Sequence, residues 1–141
     1  MKAVVYYATI SGHSKKIAQA IAKALSITAF NIKDTPPTHG YDLAFIVSGI
    51  YSGQCKPELM AFVNRLDSTQ VNTAALITSS MKKVPQTSIR NALIANGIAV
   101  FDEEYLCQGG FLFMKLSHPN KAEINDAVVY AKKCTKRFCV T

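Results

Sequence analysis

A continuous apolar run, Leu43 to Val47, lies in the first half of the chain, between Asp42 and Ser48. Strands with one solvent-exposed face alternate apolar and polar residues, whereas an unbroken run of this kind is typical of a parallel strand covered on both faces. Parallel strands need long crossover connections, which are usually helical. The run therefore predicts an α/β fold with a parallel sheet.

The rest of the chain alternates strand-like runs with helical patterns. Residues 2–8 predict a strand, and residues 14–25 predict an amphipathic helix with Ser14 at its N-cap, because apolar residues recur there at three- and four-residue spacing. Five strands alternating with helices predict one domain over residues 1–141, with helices on both faces of the sheet. The other predicted strands are 27–32, 42–48, 73–78 and 99–107, and the other predicted helices are 57–66, 87–96, which Gly97 stops, and the helix that Asn120 caps with Glu123.

The connection between the second and third predicted strands is short. It runs from Lys33 to Tyr41 and contains Pro36 and Pro37, which forbid a regular helix there. Complete crossovers usually need about 10 to 12 residues. We therefore expect the second helix of the fold to be reduced.

The composition limits the classes of partner and location. The chain has 16 Lys and Arg against 9 Asp and Glu, a formal charge of +7, which favours an acidic partner. The basic residues concentrate at 15–16, 82–83 and 132–137 without interleaved aromatic residues, so nucleic-acid binding is not expected. No run approaches the roughly 18 apolar residues of a membrane span, and the N-terminus lacks a signal-peptide pattern. We expect a cytoplasmic protein without membrane insertion.

The four cysteines predict no metal site and no disulfide framework. Cys55, Cys107, Cys134 and Cys139 form no CxxC pair and stand near no histidine cluster. We interpret them as reduced thiols.

The loop after the first predicted strand is rich in hydroxyl groups. Residues 9–14 read Thr-Ile-Ser-Gly-His-Ser and lead directly into a helix, where backbone N–H groups and the helix dipole favour a phosphate. The alternative is that Thr9 and Ser14 only cap the helix. The loop has neither the GxxxxGK[ST] spacing of a nucleoside triphosphatase nor GxGxxG, and the chain contains no CxxxxxR phosphatase loop. A terminal phosphomonoester is the ligand that this pattern favours.

The same segment resembles a known signature. Residues 5–14, followed by Ala18 and Ile21, look like the FMN-phosphate signature of flavodoxins, with Ser14 where the family usually has Thr. Residues 42–53 resemble the family's third strand and first flavin-ring loop. Residues 117–120, Ser-His-Pro-Asn, resemble the family's Gly-His-Pro-Asn sequence before the last helix.

The resemblance implies a fold, a cofactor and a site. The fold would be a flavodoxin-like three-layer sandwich with strand order 2-1-3-4-5, and bound FMN would carry electrons. Tyr51 would stack on the flavin ring, and a carbonyl near Gly49 or Gly53 would meet flavin N5. The residues expected to bind FMN are Thr9, Ile10, Ser11, Gly12, His13, Ser14, Ser48, Gly49, Ile50, Tyr51, Ser52, Gly53, Thr78, Ser79, Ser80 and Met81.

Three features depart from the family pattern. The loop after the fourth strand, 79–85, has no aromatic residue to sandwich the flavin, and Met81 is the expected substitute. Residues 107–113 resemble a family segment, but fewer residues than usual separate that segment from Ser117. Ordinary flavodoxins are acidic, whereas this basic chain should stabilise the anionic reduced flavin and make it less reducing.

Three functions remain open on the sequence alone. The first is an FMN electron carrier without substrate chemistry, since no acid, base and nucleophile converge. The second is a small FMN-dependent reductase of quinone-like acceptors, for which the missing aromatic would leave one ring face open. The third is an interaction module that kept the fold and lost the flavin.

Overall fold

The protein is described here from a computed structural model covering residues 1–8, 12–49, 57–79, 86–107 and 121–140. Within these ranges, six strands form one parallel sheet. They are β1 (Ala3–Tyr7), β2 (Ala29–Asn31), β3 (Tyr41–Gly49), β4 (Val71–Ser79), β5 (Ala99–Val100) and β6 (Tyr105–Cys107). The helices are α1 (His13–Leu25), α2 (Pro57–Asn64), α3 (Thr87–Ala95) and α4 (Lys121–Val140), with a short 3-10 helix at Ile32–Asp34.

The strand order is β2-β1-β3-β4-β5, as predicted, and β6 also pairs with β4. The central strand β3 pairs with β1 from Leu43 to Val47 and with β4 from Tyr41 to Gly49. The apolar run Leu43 to Val47 is fully buried, as expected for a strand with helices on both faces.

Two apolar clusters cover the two faces of the sheet. On one face Val4, Ala44 and Leu76 pack with residues of α2 and α3. On the other face Val5, Phe45 and Ile77 pack with residues of α1 and α4. Successive strand residues point to opposite faces, and the sheet therefore forms the middle layer of a three-layer sandwich.

The first helix begins differently from the prediction. Gly12, not Ser14, occupies the N-cap, with a left-handed φ of 89°. Lys16 N–H donates to Gly12 O at 3.1 Å, which closes the first helical turn. Ser14 is therefore the second residue of α1, and its predicted capping role is wrong. The reason is that glycine adopts the left-handed conformation at little cost.

The connection from β2 to β3 contains only the 3-10 helix, which confirms that the second helix is reduced. Tyr6, fully buried in β1, donates its hydroxyl to Pro37 O at 2.6 Å. The Tyr6 ring also packs edge-on against Phe62 of α2, with centroids 4.9 Å apart. The Tyr6 side chain thus connects the shortened β2–β3 crossover to the sheet.

The fifth position of the sheet is interrupted, whereas residues 99–107 had predicted one strand. β5 pairs with Thr73 and Ala74, and β6 pairs with Ile77, Thr78 and Ser79, so β4 has two short neighbours in line. Arg90 of α3 holds the interruption, because its guanidinium donates to Phe101 O at 2.9 Å and to the Glu104 carboxylate at 3.0 Å. The Phe101 carbonyl thus accepts a hydrogen bond from the Arg90 side chain and not from a neighbouring strand.

The remaining predicted elements shift by a few residues at most. The predicted cap of α4, Asn120, lies outside the described residues. Gly97 follows α3 with φ 83°, as a helix stop requires. Within the described ranges, no helix is long and apolar enough to cross a membrane.

Candidate functional site

The candidate site lies where the strand order reverses. The chain leaves β1 for β2 on one side and then crosses to β3 on the other side, so the crossovers diverge between β1 and β3. Ligands of open parallel sheets bind at such a point, outside the carboxyl ends of the strands. Here Ala8 N–H donates to Val47 O at 3.0 Å, which brings the end of β1 beside the end of β3.

The first turn of α1 faces this edge and suits an anion. Gly12 at the N-cap has no side chain with which to cap the helix, and no acidic residue occupies the first turn. The exposed backbone N–H ends of a helix carry partial positive charge. A phosphate at this end would therefore be stabilised by hydrogen bonds and by the helix dipole.

Ser14 is the most informative residue of this turn. Its side chain is 1% exposed, and its Oγ has no hydrogen-bond partner among the described residues. A buried hydroxyl without a partner costs about 1 to 3 kcal/mol, and native structures rarely leave one in that state. Ser14 is therefore a hydroxyl available to a ligand. His13 beside it is also buried, at 8% exposed.

The carboxyl ends of β3 and β4 bring together the other described site residues. Ser48 is paired in register with Thr78, and Gly49 with Ser79. All three hydroxyl side chains are at most 5% exposed. The Thr78 hydroxyl, like that of Ser14, has no partner in the described part of the chain.

Gln86 is a buried polar residue that the sequence pattern did not single out. It directly precedes α3 and is 2% exposed. Its amide Nε2 donates to Ser48 Oγ, whereas its Oε1 has no partner among the described residues. Its backbone N–H donates to the Glu104 carboxylate at 3.3 Å. Its position before Thr87, the first residue of a helix, was the available signal, but many polar residues precede helices.

The predicted site is thus described in part. The described members, at the carboxyl edge of the sheet, are Gly12, His13, Ser14, Ser48, Gly49, Thr78 and Ser79. Their binding of FMN stays a prediction. The other predicted residues, Thr9, Ile10, Ser11, Ile50, Tyr51, Ser52, Gly53, Ser80 and Met81, lie outside the described residues. Among the described residues, no group of three or more His, Cys, Asp or Glu side chains is placed to hold a metal ion.

Comparison with known proteins identifies the family. The model of the flavodoxin domain matches residues 4–125. The chain belongs to the flavodoxin family. The flavodoxin domain therefore includes every described residue of the candidate site, from the first turn of α1 to Ser79 and Gln86.

Known flavodoxins share this fold at low sequence identity. The short-chain flavodoxin associated with a non-canonical PDU bacterial microcompartment superposes with a TM-score of 0.74, at 17% identity over 98% of this chain and 99% of that one. Oxidised flavodoxin 2 of Bacillus cereus gives a TM-score of 0.70, at 14% identity over 97% of this chain and 99% of that one. An uncharacterised protein of Methanocaldococcus jannaschii is 28% identical over 96% of this chain and 99% of its own length.

Proposed function

We propose that this flavodoxin-family chain binds FMN at the carboxyl edge of its sheet and serves as an electron carrier. The observation that carries the proposal is the Ser14 hydroxyl, buried in the first turn of α1 without a partner among the described residues. A phosphate oxygen is a strong acceptor for such a group. FMN, when bound, supplies the capacity to take up and release electrons.

The residues of the edge divide into two groups. The N-terminal turn of α1, with Gly12, His13 and Ser14, would hold the phosphate together with Thr9, Ile10 and Ser11. The ends of β3 and β4 would border the flavin ring, where Thr78 Oγ1 and Gln86 Oε1 are the buried polar atoms still in need of a partner in the described part of the chain. A flavin ring edge carries both N–H and C=O groups that can satisfy them.

The chemistry of the edge favours a carrier over an enzyme. Apart from His13, the buried polar side chains described there are hydroxyls and one amide, namely Ser14, Ser48, Thr78, Ser79 and Gln86. Such groups hydrogen-bond a ligand but exchange no proton with it near neutral pH. The cofactor would therefore perform the chemistry, and the chain would bind and exclude water.

We further propose an acidic redox partner and a cytoplasmic location. The formal charge of +7 supports electrostatic steering toward an acidic surface. Association of this kind weakens as salt rises, because exposed charges are screened beyond about 8 Å at physiological ionic strength. Partner association measured at low and high salt tests this part of the proposal.

The first experiment titrates the purified protein with FMN and follows flavin fluorescence and the visible spectrum. Quenching with a stable flavin spectrum supports the proposal. Absence of binding at high micromolar FMN would leave an interaction module that kept only the fold. Oxidation of NAD(P)H or reduction of a quinone by the loaded protein, with turnover, would instead favour a reductase.

The residue-level test compares Ser14→Ala with Ser88→Ala. Both serines are the second residue of a helix, but Ser14 is buried at the candidate site and Ser88 is exposed on α3. Ser14→Ala should raise the Kd for FMN about tenfold or more, the loss expected for one hydrogen bond to a charged group. The apo form should lose no stability, because an unpaired buried hydroxyl is removed. Ser88→Ala should change neither quantity, and equal FMN affinities for both variants would contradict the role of Ser14.

A further inference from the structure

A groove of about 750 Å³ lies at the opposite end of the sheet from the candidate flavin site. Its walls are the last turns of α4, residues 133–138, the amino end of β4 at Asn72 and Thr73, and Phe101, which directly follows β5; we call it the α4 groove. Small-molecule sites typically measure about 300 to 1,000 Å³. From Thr73, in the groove, to Ser79 at the other edge, β4 extends roughly 20 Å at about 3.3 Å per residue. A ligand of the groove would therefore be separate from the flavin.

One side of the α4 groove carries a compact set of cations. Lys133, Lys136 and Arg137 all line it, and their spacing of three and four residues places them on one face of the helix. The Glu103 carboxylate lies 3.3 Å from Lys133 Nζ and 3.8 Å from Arg137 Nη1. Lys136 forms no ion pair within the described part of the chain. Three like charges within two turns repel one another, which a dense anion such as a diphosphate would relieve.

The rest of the α4 groove suits an aromatic ring. Phe101 and Phe138 line it and are both half-buried. Asn72 and Thr73 lie beside them, where the Thr73 hydroxyl donates to Asn72 Oδ1 at 2.7 Å and thereby leaves the Asn72 amide N–H groups for a ligand. Phenylalanine faces stack on heterocycles, and amide groups read the polar edge of a base.

The interrupted fifth strand creates this geometry. β5 ends at Val100, and Phe101 N–H still donates to Ala74 O at 3.1 Å. The chain then turns away through residues 102–104, so the Phe101 ring lies at the rim of the sheet beside α4. If β5 were not interrupted, residues 102–104 would continue to pair with β4 and would not turn away beside Phe101.

We infer that the α4 groove binds a nucleoside diphosphate, with the base against Phe101 and Phe138 and the phosphates on Lys133, Lys136 and Arg137. The inference does not rest on the proposed FMN site, since the two lie at opposite ends of β4. Cations in the last turns of α4 also complement the partial negative charge at the C-terminal end of the helix. Their presence alone therefore does not demonstrate a ligand, and binding has to be measured directly.

The test titrates the full chain with ADP, adenosine and pyrophosphate separately and follows backbone amide signals by NMR. ADP should bind at least about tenfold more tightly than adenosine or pyrophosphate, because it alone offers both ring and charge. The shifted amides should include Thr73, Phe101 and Lys136, while Gly12 to Ser14 stay unchanged. Shifts confined to Gly12 to Ser14 would overturn the inference, since ADP would then occupy only the helix α1 end.

Two matched variants sharpen the result. Lys136→Gln removes a groove cation, whereas Lys132→Gln removes another exposed charge of α4 that does not line the groove. Lys136→Gln should weaken ADP binding about tenfold and Lys132→Gln by a smaller factor, because Lys132 does not line the groove and cannot contact the phosphates directly. Equal losses would indicate only a general charge effect. Pyrophosphate binding as tight as ADP, or binding of polyglutamate without ADP binding, would also overturn the inference.

Discussion

Two buried tyrosines show how single polar groups are accommodated on the two faces of the sheet. Tyr6 donates to Pro37 O at 2.6 Å, and Tyr130 of α4 donates to Glu103 O at 2.5 Å. Both side chains are at most 5% exposed. Burial raises the pKa of both phenols above the ordinary value of 10.0, because the charged form loses its hydration.

These phenols predict alkaline destabilisation. A pKa that is higher in the folded than in the unfolded state means that the folded protein binds more protons between the two values. The free energy of unfolding should therefore be unaffected by these groups below about pH 10 and should fall as the pH rises further. Urea unfolding at pH 8 and 10.5 measures this fall, which should be smaller in Tyr130→Phe. An identical fall in the variant and the unmodified protein would contradict the prediction.

At the scale of elements, the start of α1 depends on the left-handed conformation of Gly12. A Cβ there would meet nothing within 4 Å, so a substitution is opposed by backbone strain and not by a clash. An L-residue in this conformation costs about 1 to 2 kcal/mol.

Gly12→Ala should therefore lower both stability and FMN affinity. Gly97→Ala is the matched control: φ is 83°, the nearest atom to a new Cβ is Ser68 Oγ at 3.6 Å, and the residue follows α3 away from the edge. Both variants should lose about 1 kcal/mol in urea unfolding, but only Gly12→Ala should show a raised Kd for FMN. Equal FMN affinities would mean that the α1 turn does not contact the cofactor.

The ion pair between Arg90 and Glu104 stabilises the interruption between β5 and β6. The Glu104 side chain is 7% exposed and that of Arg90 is 21% exposed. Glu104 also accepts the backbone N–H of Gln86, so the pair connects the interruption to the start of α3.

Loss of the Arg90–Glu104 pair should lower the free energy of unfolding, whereas loss of the exposed pairs of Glu103 should hardly change it. Glu104→Gln leaves the Arg90 charge largely buried without a carboxylate, and we expect a loss of about 2 kcal/mol in chemical unfolding. Glu103→Gln removes the exposed pairs with Lys133 and Arg137 and should cost less than about 0.5 kcal/mol. Similar losses for both variants would show that burial of the pair does not govern its contribution.

At the scale of the whole molecule, the charge of +7 bears on the proposed flavin. Positive surroundings favour the anionic reduced form, so the bound flavin should be less reducing than in acidic flavodoxins. Redox titration of the FMN-loaded protein tests this, and raising the salt should shift the potential to more negative values as the charges are screened. A couple well below that of free FMN at low salt would contradict the prediction.

The amino-acid pattern alone determined the layers and the family. The unbroken run Leu43 to Val47 can be buried on both faces only in a covered parallel sheet, and Pro36 and Pro37 exclude a helix by local stereochemistry. The loop at residues 9–14 indicated the edge of the sheet where a ligand is expected, because its hydroxyls and glycine immediately precede a helix. These features can be predicted from the sequence because they depend on residues that are adjacent in the chain.

Only the tertiary structure decided which side chains serve the site and where the fifth strand breaks. Gly12, with a φ of 89°, is the cap of α1 in place of Ser14, and the Ser14 hydroxyl is buried in the first turn without a partner among the described residues. Gln86 donates to Ser48, 38 residues away, and Arg90 donates to the Phe101 carbonyl between β5 and β6, 11 residues away. Such contacts depend on packing between distant segments, and neither residue periodicity nor local propensity encodes them.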